Sequence, residues 1–200
     1  MSRNVNIGVL AFHGDVSEHI SALHTAANAL HASLTVREVR TKEDCKELHG
    51  LIIPGGESTT LYKLCEREGM IIAMKKIPAL MGTCAGAIML AKKIQHSAQG
   101  QKTLSLMDII TDRNAYGRQS ESFEEDLTTE LGKVKGVFIR APKIAAIGKR
   151  VHTLAKNGNE VVACEESLNG RYYLALAFHP ELSTPVFHEH FLSRVIHAVG

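Results

Sequence analysis

Apolar positions along this chain switch between short runs and helical spacing, and the switches mark its elements. Val5 to Phe12 is an apolar run punctuated by Gly14, which reads as a buried strand. Val16, Ile20, Leu23, Ala27 and Leu30 then recur at spacings of three and four, the period of an amphipathic helix. Ser33 to Val39 alternates, with Leu34, Val36 and Val39 on one side, so a second strand is expected. Leu51-Ile52-Ile53-Pro54 reads as a third strand, ended by Gly55-Gly56. Thr59 or Thr60 can start a helix through Leu61, Leu64 and Cys65, and a further helical stretch runs near Ile71 to Lys76. Ile77-Pro78-Ala79-Leu80-Met81 leads to Gly82-Thr83-Cys84-Ala85-Gly86 and a helix-like run, Ala87-Ile88-Met89-Leu90-Ala91.

Strand and helix alternate in this way to about Ile94, which predicts a parallel sheet covered on both faces. Beyond Gln95 come short strand-like pieces: Leu104–Ile110, Phe123–Thr128, Gly136–Ile139, Val151–Ala155, Val161–Cys164 and Tyr172–Phe178. A last helix carries Phe187, Phe191, Val195 and Val199. The expectation is one α/β domain over residues 1–200 with a mixed or antiparallel-rich second half. In an open α/β sheet the site lies beyond the carboxyl ends of the strands. Three punctuated strand ends fit that rule: Phe12-His13-Gly14, Pro54-Gly55-Gly56-Glu57-Ser58 and Gly82-Thr83-Cys84.

Composition narrows the partner classes. The 200 residues carry 23 Lys and Arg against 21 Asp and Glu, a formal net charge of +2, which argues against nucleic acid or an anionic membrane surface. No apolar run approaches the roughly 20 residues that span a bilayer, and Ser2-Arg3-Asn4 leads straight into a strand without a signal-peptide pattern, so a cytoplasmic protein is expected. Four scattered cysteines without a C-x-x-C pair predict neither a disulfide framework nor a zinc site of the usual spacing. His188, His190 and His197 fall in the amphipathic C-terminal segment, where a surface position and no metal are expected.

The chemistry centres on Cys84. A strand–turn–helix order around a cysteine, with small residues two positions either side, lets strand and helix approach closely and strains the central residue. A thiol at a helix N-terminus has more thiolate character, the nucleophilic form. Far downstream, His179-Pro180-Glu181 places imidazole and carboxylate two residues apart, on the same side of an extended segment. Cys84, His179 and Glu181 thus supply a nucleophile, a base and its orienter for acyl transfer. The glycines of the Pro54–Thr60 stretch let backbone approach a ligand, and with the Ala85 amide they can form an oxyanion hole. A phosphate loop is the rival reading, but the P-loop lysine is missing at its position.

These residues, with Gly8-Val9-Leu10-Ala11, Gly55-Gly56-Glu57-Ser58-Thr59-Thr60, Gly82-Thr83-Cys84-Ala85-Gly86 and His179-Pro180-Glu181-Leu182, resemble the class I triad glutamine amidotransferases. Within them the chain is similar to the glutaminase-subunit family of pyridoxal 5′-phosphate synthase, through Asp112–Gln119, Ser122-Phe123 and Val137–Pro142 as well. The resemblance implies a three-layer flavodoxin-like α/β fold, with a central mixed, mostly parallel sheet and helices on both faces. It also implies hydrolysis of L-glutamine to glutamate and ammonia, without a cofactor. The ammonia would pass to a synthase subunit, a PdxS-type barrel with a dodecameric core. Carried over by motif, Cys84 is nucleophile, His179 base and Glu181 its orienter. Gly56, Glu57, Ser58, Arg113, Ile139 and Arg140 bind glutamine, and the Gly56 and Ala85 amides hold the oxyanion. The arginines suit a free amino acid, whose α-carboxylate a guanidinium binds bidentately. His13 departs from the family, which usually carries glutamine there, near the partner interface. Two other readings stand beside this one: a class I glutaminase of another barrel synthase, as in histidine biosynthesis, and a non-catalytic regulatory subunit.

Overall fold

The computed structural model describes residues 4–113 and 122–199. Its elements run β1 Val5–Leu10, α1 Val16–Ala29, β2 Leu34–Val39, β3 Gly50–Ile53, α2 Ser58–Arg67, α3 Ile71–Lys76, β4 Ala79–Thr83 and α4 Ala85–Leu90. There follow β5 Ala91–Gln95, β6 Met107–Asp112, β7 Ser122–Thr129, β8 Gly132–Ile139, β9 Lys143–Ile147, β10 His152–Asn157, β11 Glu160–Leu168 and β12 Arg171–Leu176. A 3₁₀ turn at Pro180–Leu182 and α5 Val186–Val199 close the chain.

One sheet runs β2-β1-β3-β4-β12-β11-β10-β7-β8, with β5, β6 and β9 branching from it. The first five strands pair parallel, and from β12 onward the main path is antiparallel. Side-chain alternation divides the core into two layers. Ile7, Ile52, Met81 and Leu174 pack on the face covered by α1 and α5, with Leu23, Phe187 and Phe191. Leu51, Ile53, Leu80 and Tyr173 face α2 to α4, with Leu61, Met74 and Met89. A strand buried on both sides must be apolar at successive positions, and the unbroken run Leu51-Ile52-Ile53 meets that requirement. Because β1 has β2 on one side and β3 on the other, the chain reverses direction across the sheet there, which opens a crevice above the strand ends. Among the described residues no helix is long and apolar enough to cross a membrane.

Three local expectations change. The helix after Cys84 stops at Leu90, and Ala91 starts a strand instead. Only Ala91 and Ile94 of that strand are buried and a bulge separates Ala91 from Lys93, so strict alternation is absent from the sequence. The strand Lys143–Ile147 was not expected, because its outward Ala145, Ala146 and Ile147 are exposed and give no amphipathic signal. The strand at Tyr172 ends at Leu176, which leaves Ala177 and Phe178 in a bend that carries His179 toward the crevice.

Candidate active site

The turn between β4 and α4 is built by its glycines. Cys84 has φ 49° and ψ −106°, a left-handed backbone that a side-chain-bearing residue adopts only under constraint. A β-carbon on Gly86 would fall on the Ile53 carbonyl, and one on Gly82 would fall on the Gly86 carbonyl group. The elbow therefore closes only with both glycines. The Cys84 amide is engaged by the Leu176 carbonyl at 2.8 Å, which leaves the Ala85 amide, next in the turn, as the donor at the cleft. Cys84 is 6% exposed, and its thiol lies 3.7 Å from the Ile139 carbonyl oxygen. Burial pushes the other thiols up, Cys45 to about 11 and Cys65 and Cys164 to about 12, so they stay protonated and inert.

The loop after β3 forms the opposite wall. Gly56 has φ +129°, and a β-carbon there would overlap the His13 ring; one on Gly55 would sit 2.5 Å from His179 Cε1. Both glycines admit imidazoles that side chains would displace. Glu57 caps α2, its two oxygens accepting from the Thr59 amide at 3.0 Å and the Thr60 amide at 2.7 Å. Burial works against its charge, but the hydrogen bonds from Thr60 and Thr59 prevail and hold it at about 2. Glu57 thus lines the cleft with its carboxylate capping the helix and lying 3.7 Å from Arg113 Nη2.

His179 and Glu181 meet as expected, by a different route. The 3₁₀ turn at Pro180–Leu182, not an extended segment, brings Glu181 Oε1 to 2.8 Å from His179 Nδ1. Asp15 Oδ2 stands 3.4 Å from the same nitrogen. Burial opposes a charge on His179, but hydrogen bonds to Cys84 and Glu181, and their negative charges, raise it to about 10. Burial pushes the Glu181 carboxyl up, and the His179 hydrogen bond and charge offset part of that rise.

A cleft of about 510 Å³ joins these groups, a volume suited to a free amino acid. It is lined by Gly56, Glu57, Ser58, Cys84, Ala85, Arg113, Ile139, Arg140 and His179, so every one of the sequence-nominated residues except Glu181 reaches it. Glu181 sits behind His179 with its side chain fully buried. Arg140 is exposed at the rim with φ 43°. The Asn114–Gln119 part of the family-like stretch lies outside the described residues. Asp15, His179 and Glu181 also gather three ligand atoms within 4.8 Å of one another, a set able to hold a cation. In this structure the His179–Glu181 part of that set is already a hydrogen-bonded pair.

Two features were missed. Gln101, in a segment to which the sequence assigned nothing, donates from Nε2 to Ser58 Oγ at 2.9 Å. Its Oε1 accepts from Arg113 Nη1 at 3.1 Å and from the Ala98 amide at 3.0 Å. One amide thereby ties together two cleft residues from separate elements; no motif or periodicity announces it. The C-terminal histidines also differ from the surface expectation. His197 is exposed, but His190 is half-buried against Glu165 at 2.7 Å, and His188 is wholly buried against His19 of α1. The α1–α5 packing that covers His188 is long-range, which helical periodicity does not encode.

Comparison with known proteins agrees with this geometry. A family model described as the SNO glutamine amidotransferase family matches residues 9–197. A protein of Korarchaeum cryptofilum named pyridoxal 5′-phosphate synthase subunit PdxT is 43% identical, over 96% of this chain and 99% of its own length. One of the same name from Streptomyces griseus is 45% identical, over 92% of this chain and 91% of its own. A crystal structure described as a glutamine amidotransferase superposes with a TM-score of 0.81 at 42% identity, covering 94% of this chain and 98% of that one. The flavodoxin-like class I architecture expected from the motifs is thereby borne out. The chain belongs to the SNO glutamine amidotransferase family.

Proposed function

We propose that the chain is a single glutaminase domain over residues 1–200, the ammonia-supplying subunit of a pyridoxal 5′-phosphate synthase. The observation that carries the reading is a thiol on a strained elbow and a histidine at one cleft, with a buried carboxylate 2.8 Å behind the imidazole. The relatives' shared name supports the vitamin B6 pathway over histidine biosynthesis.

The Cys84 thiolate attacks the side-chain amide carbon of L-glutamine, and the Gly56 and Ala85 amides receive the developing oxyanion. Protonated His179 gives its proton to the leaving nitrogen, so ammonia departs and a γ-glutamyl thioester remains. Neutral His179 then takes a proton from water, whose oxygen attacks the thioester carbon. Collapse expels the thiolate and yields glutamate. Glu181 keeps the imidazole oriented and supports its charge. Arg113 and Arg140, which line the cleft, hold the α-carboxylate, while Ser58, the Glu57 backbone and Ile139 shape the rest of the site.

The ammonia goes to a PdxS-type barrel subunit, on the dodecameric core expected for such a synthase, in the cytoplasm. The imidazole of His13 packs against Gly56, one of the two oxyanion donors, so a partner contact that shifts His13 would realign that amide. Ammonia release from glutamine is expected to be slow for the isolated chain and on the order of 10²-fold faster with the synthase subunit, the worth of one oxyanion donor. Equal rates in both conditions would remove the gating; absence of release in both would remove the glutaminase reading.

Gln101→Ala should act mainly on substrate affinity. It frees the Ser58 hydroxyl and leaves the Arg113 guanidinium with the Glu57 carboxylate at 3.7 Å, and a lost hydrogen bond of about 1 kcal/mol corresponds to a KM for glutamine raised roughly fivefold with kcat little changed. Steady-state kinetics of the complex measure the split.

A further inference from the structure

Behind the cleft lie two fully buried histidines that the proposed mechanism does not use, one against its carboxylate and the other against the first. His19 of α1 and His188 of α5 are both 0% exposed. His19 Nδ1 is 2.9 Å from His188 Nε2. On its other edge, His19 Nε2 is 3.3 Å from Thr83 Oγ1 and 3.4 Å from Glu181 Oε1, the same oxygen that His179 engages. The remaining nitrogen, His188 Nδ1, has no hydrogen-bond partner among the described residues.

That last fact decides which nitrogens carry protons. Burial first, then the charges of His188 and His179, lower the His19 pKa well below its usual value, and burial alone takes His188 to about 3, so both rings are neutral and each carries one N–H. Only one N–H can fill the 2.9 Å contact between them. If His19 Nδ1 donated, His188 would bury an unpartnered Nδ1–H, and the bare His19 Nε2 would face a carboxylate oxygen, acceptor against acceptor. If His188 Nε2 donates, the orphan at His188 is only a lone pair, and His19 Nε2–H points at Thr83 and Glu181. Buried orphan N–H groups are the rarer and costlier case. The second arrangement therefore holds, and both donors point along one line toward Glu181.

We propose that His19, its tautomer set by His188, is a positioning residue that presents a buried N–H to Glu181 and so keeps that carboxylate ionised and aligned on His179. The inference rests on the glutaminase reading for its consequence in turnover, but not for the geometry. The titratable groups facing Glu181 are His179 before it, Asp15 and His19 from the α1 side, and the Cys84 thiol beyond His179. The buried Glu181 Oε2 has no partner among the described residues, so His19 adds a side-chain donor beside His179 and the Glu181 backbone N–H.

The tests are His19→Leu, His19→Gln and His188→Leu, assayed in the complex with the synthase subunit. Without the His19 donor the Glu181 carboxyl titrates higher, so the acid limb of kcat/KM moves to higher pH. His19→Leu is expected to lower kcat about 10- to 100-fold, the worth of a hydrogen bond to a charged group, with KM for glutamine changed less than about threefold. His19→Gln, whose amide can donate from a similar position, should recover most of kcat. His188→Leu should fall between the two, because it removes the tautomer lock and leaves the ring. An unmoved acid limb in His19→Leu, or equal loss in the Leu and Gln variants, would overturn the proposal and leave a packing role. Two readouts do not depend on glutamine turnover. Two-bond proton–nitrogen NMR should find His19 and His188 both as Nε2–H tautomers, and an Nδ1–H at His19 overturns the assignment. The pH dependence of Cys84 alkylation by iodoacetamide should move in His19→Leu relative to wild type, and an identical profile counts against the proposal even if the wild type releases no ammonia.

Discussion

Cys84→Ala should abolish glutamine-dependent ammonia release, with a fall of at least about 10⁴-fold in kcat for the complex, the scale seen when the nucleophile of a triad is removed. No other group can take over. The remaining three thiols are buried and held protonated, and none lines the cleft. The geometry makes the loss specific: the side chain is presented by a residue at φ 49°, with the Ala85 amide beside it and an imidazolium across from it. Alanine keeps the backbone, so glutamine binding should persist within a few-fold while turnover disappears. An electrophilic glutamine analogue should label the wild type once, at Cys84, and leave the variant unlabelled, as mass spectrometry can establish. Cys84→Ser separates charge from shape. Serine fits the elbow, but its hydroxyl is far less acidic than a thiol, so His179⁺ cannot hold it as an anion, and activity should stay close to that of Cys84→Ala. Labelling at a second cysteine, or substantial turnover in either variant, would remove Cys84 from the nucleophile role.

Gly86→Ala should cost stability rather than a single catalytic step. The added methyl would overlap the Ile53 carbonyl at the end of β3, a backbone atom in the middle of the parallel sheet that cannot step aside as a side chain could. Overpacking typically costs 1–3 kcal/mol, and a backbone clash belongs at the upper end, about 3 kcal/mol. For a chain of 200 residues this lowers Tm by roughly 6–12 °C. Activity should fall as well, because relief of the clash must move α4, and with it the Ala85 amide, away from the loop that carries Gly56. Differential scanning fluorimetry and ammonia release on the same preparation measure both. A Gly86→Ala protein with unchanged Tm would mean that strand and helix are not as closely packed as the elbow requires. The glycines at 100, 158 and 170, whose β-carbons would meet nothing, form the comparison set. Their positive φ still strains alanine, so loss of stability there reports backbone conformation alone.

The elements that could be read from sequence were those whose signal is local. Leu51-Ile52-Ile53 had to be a strand buried on both faces, because neither face leaves room for a polar side chain. The spacing from Val16 to Leu30 gave α1 to within one residue at its end, and the glycines flanking Cys84 announced the elbow. The strand Ala91–Gln95 was hidden by a bulge, and Lys143–Ile147 by an exposed apolar face. Within the site the same division holds. His179 and Glu181 are two residues apart, so their contact was legible, although the 3₁₀ turn that makes it was not. Arg140 was legible as a cleft residue but not as an exposed one.

By itself the sequence determined the α/β order, the elbow, the cysteine, the histidine with its carboxylate, and the resemblance that names glutamine. Each is carried by neighbours within a few residues, where backbone sterics and side-chain period act directly. Only the tertiary structure decided that Gln101 ties Ser58 to Arg113, that His13 lies against Gly56, and that His188 is buried on His19 behind Glu181. Those contacts join residues 12 to 169 positions apart. They exist because α1 and α5 pack on the same face of the sheet and because loops from separate strand ends converge above it. A histidine on an amphipathic helix has the same sequence whether it faces water or another helix, and only the packing of the second helix removes the water.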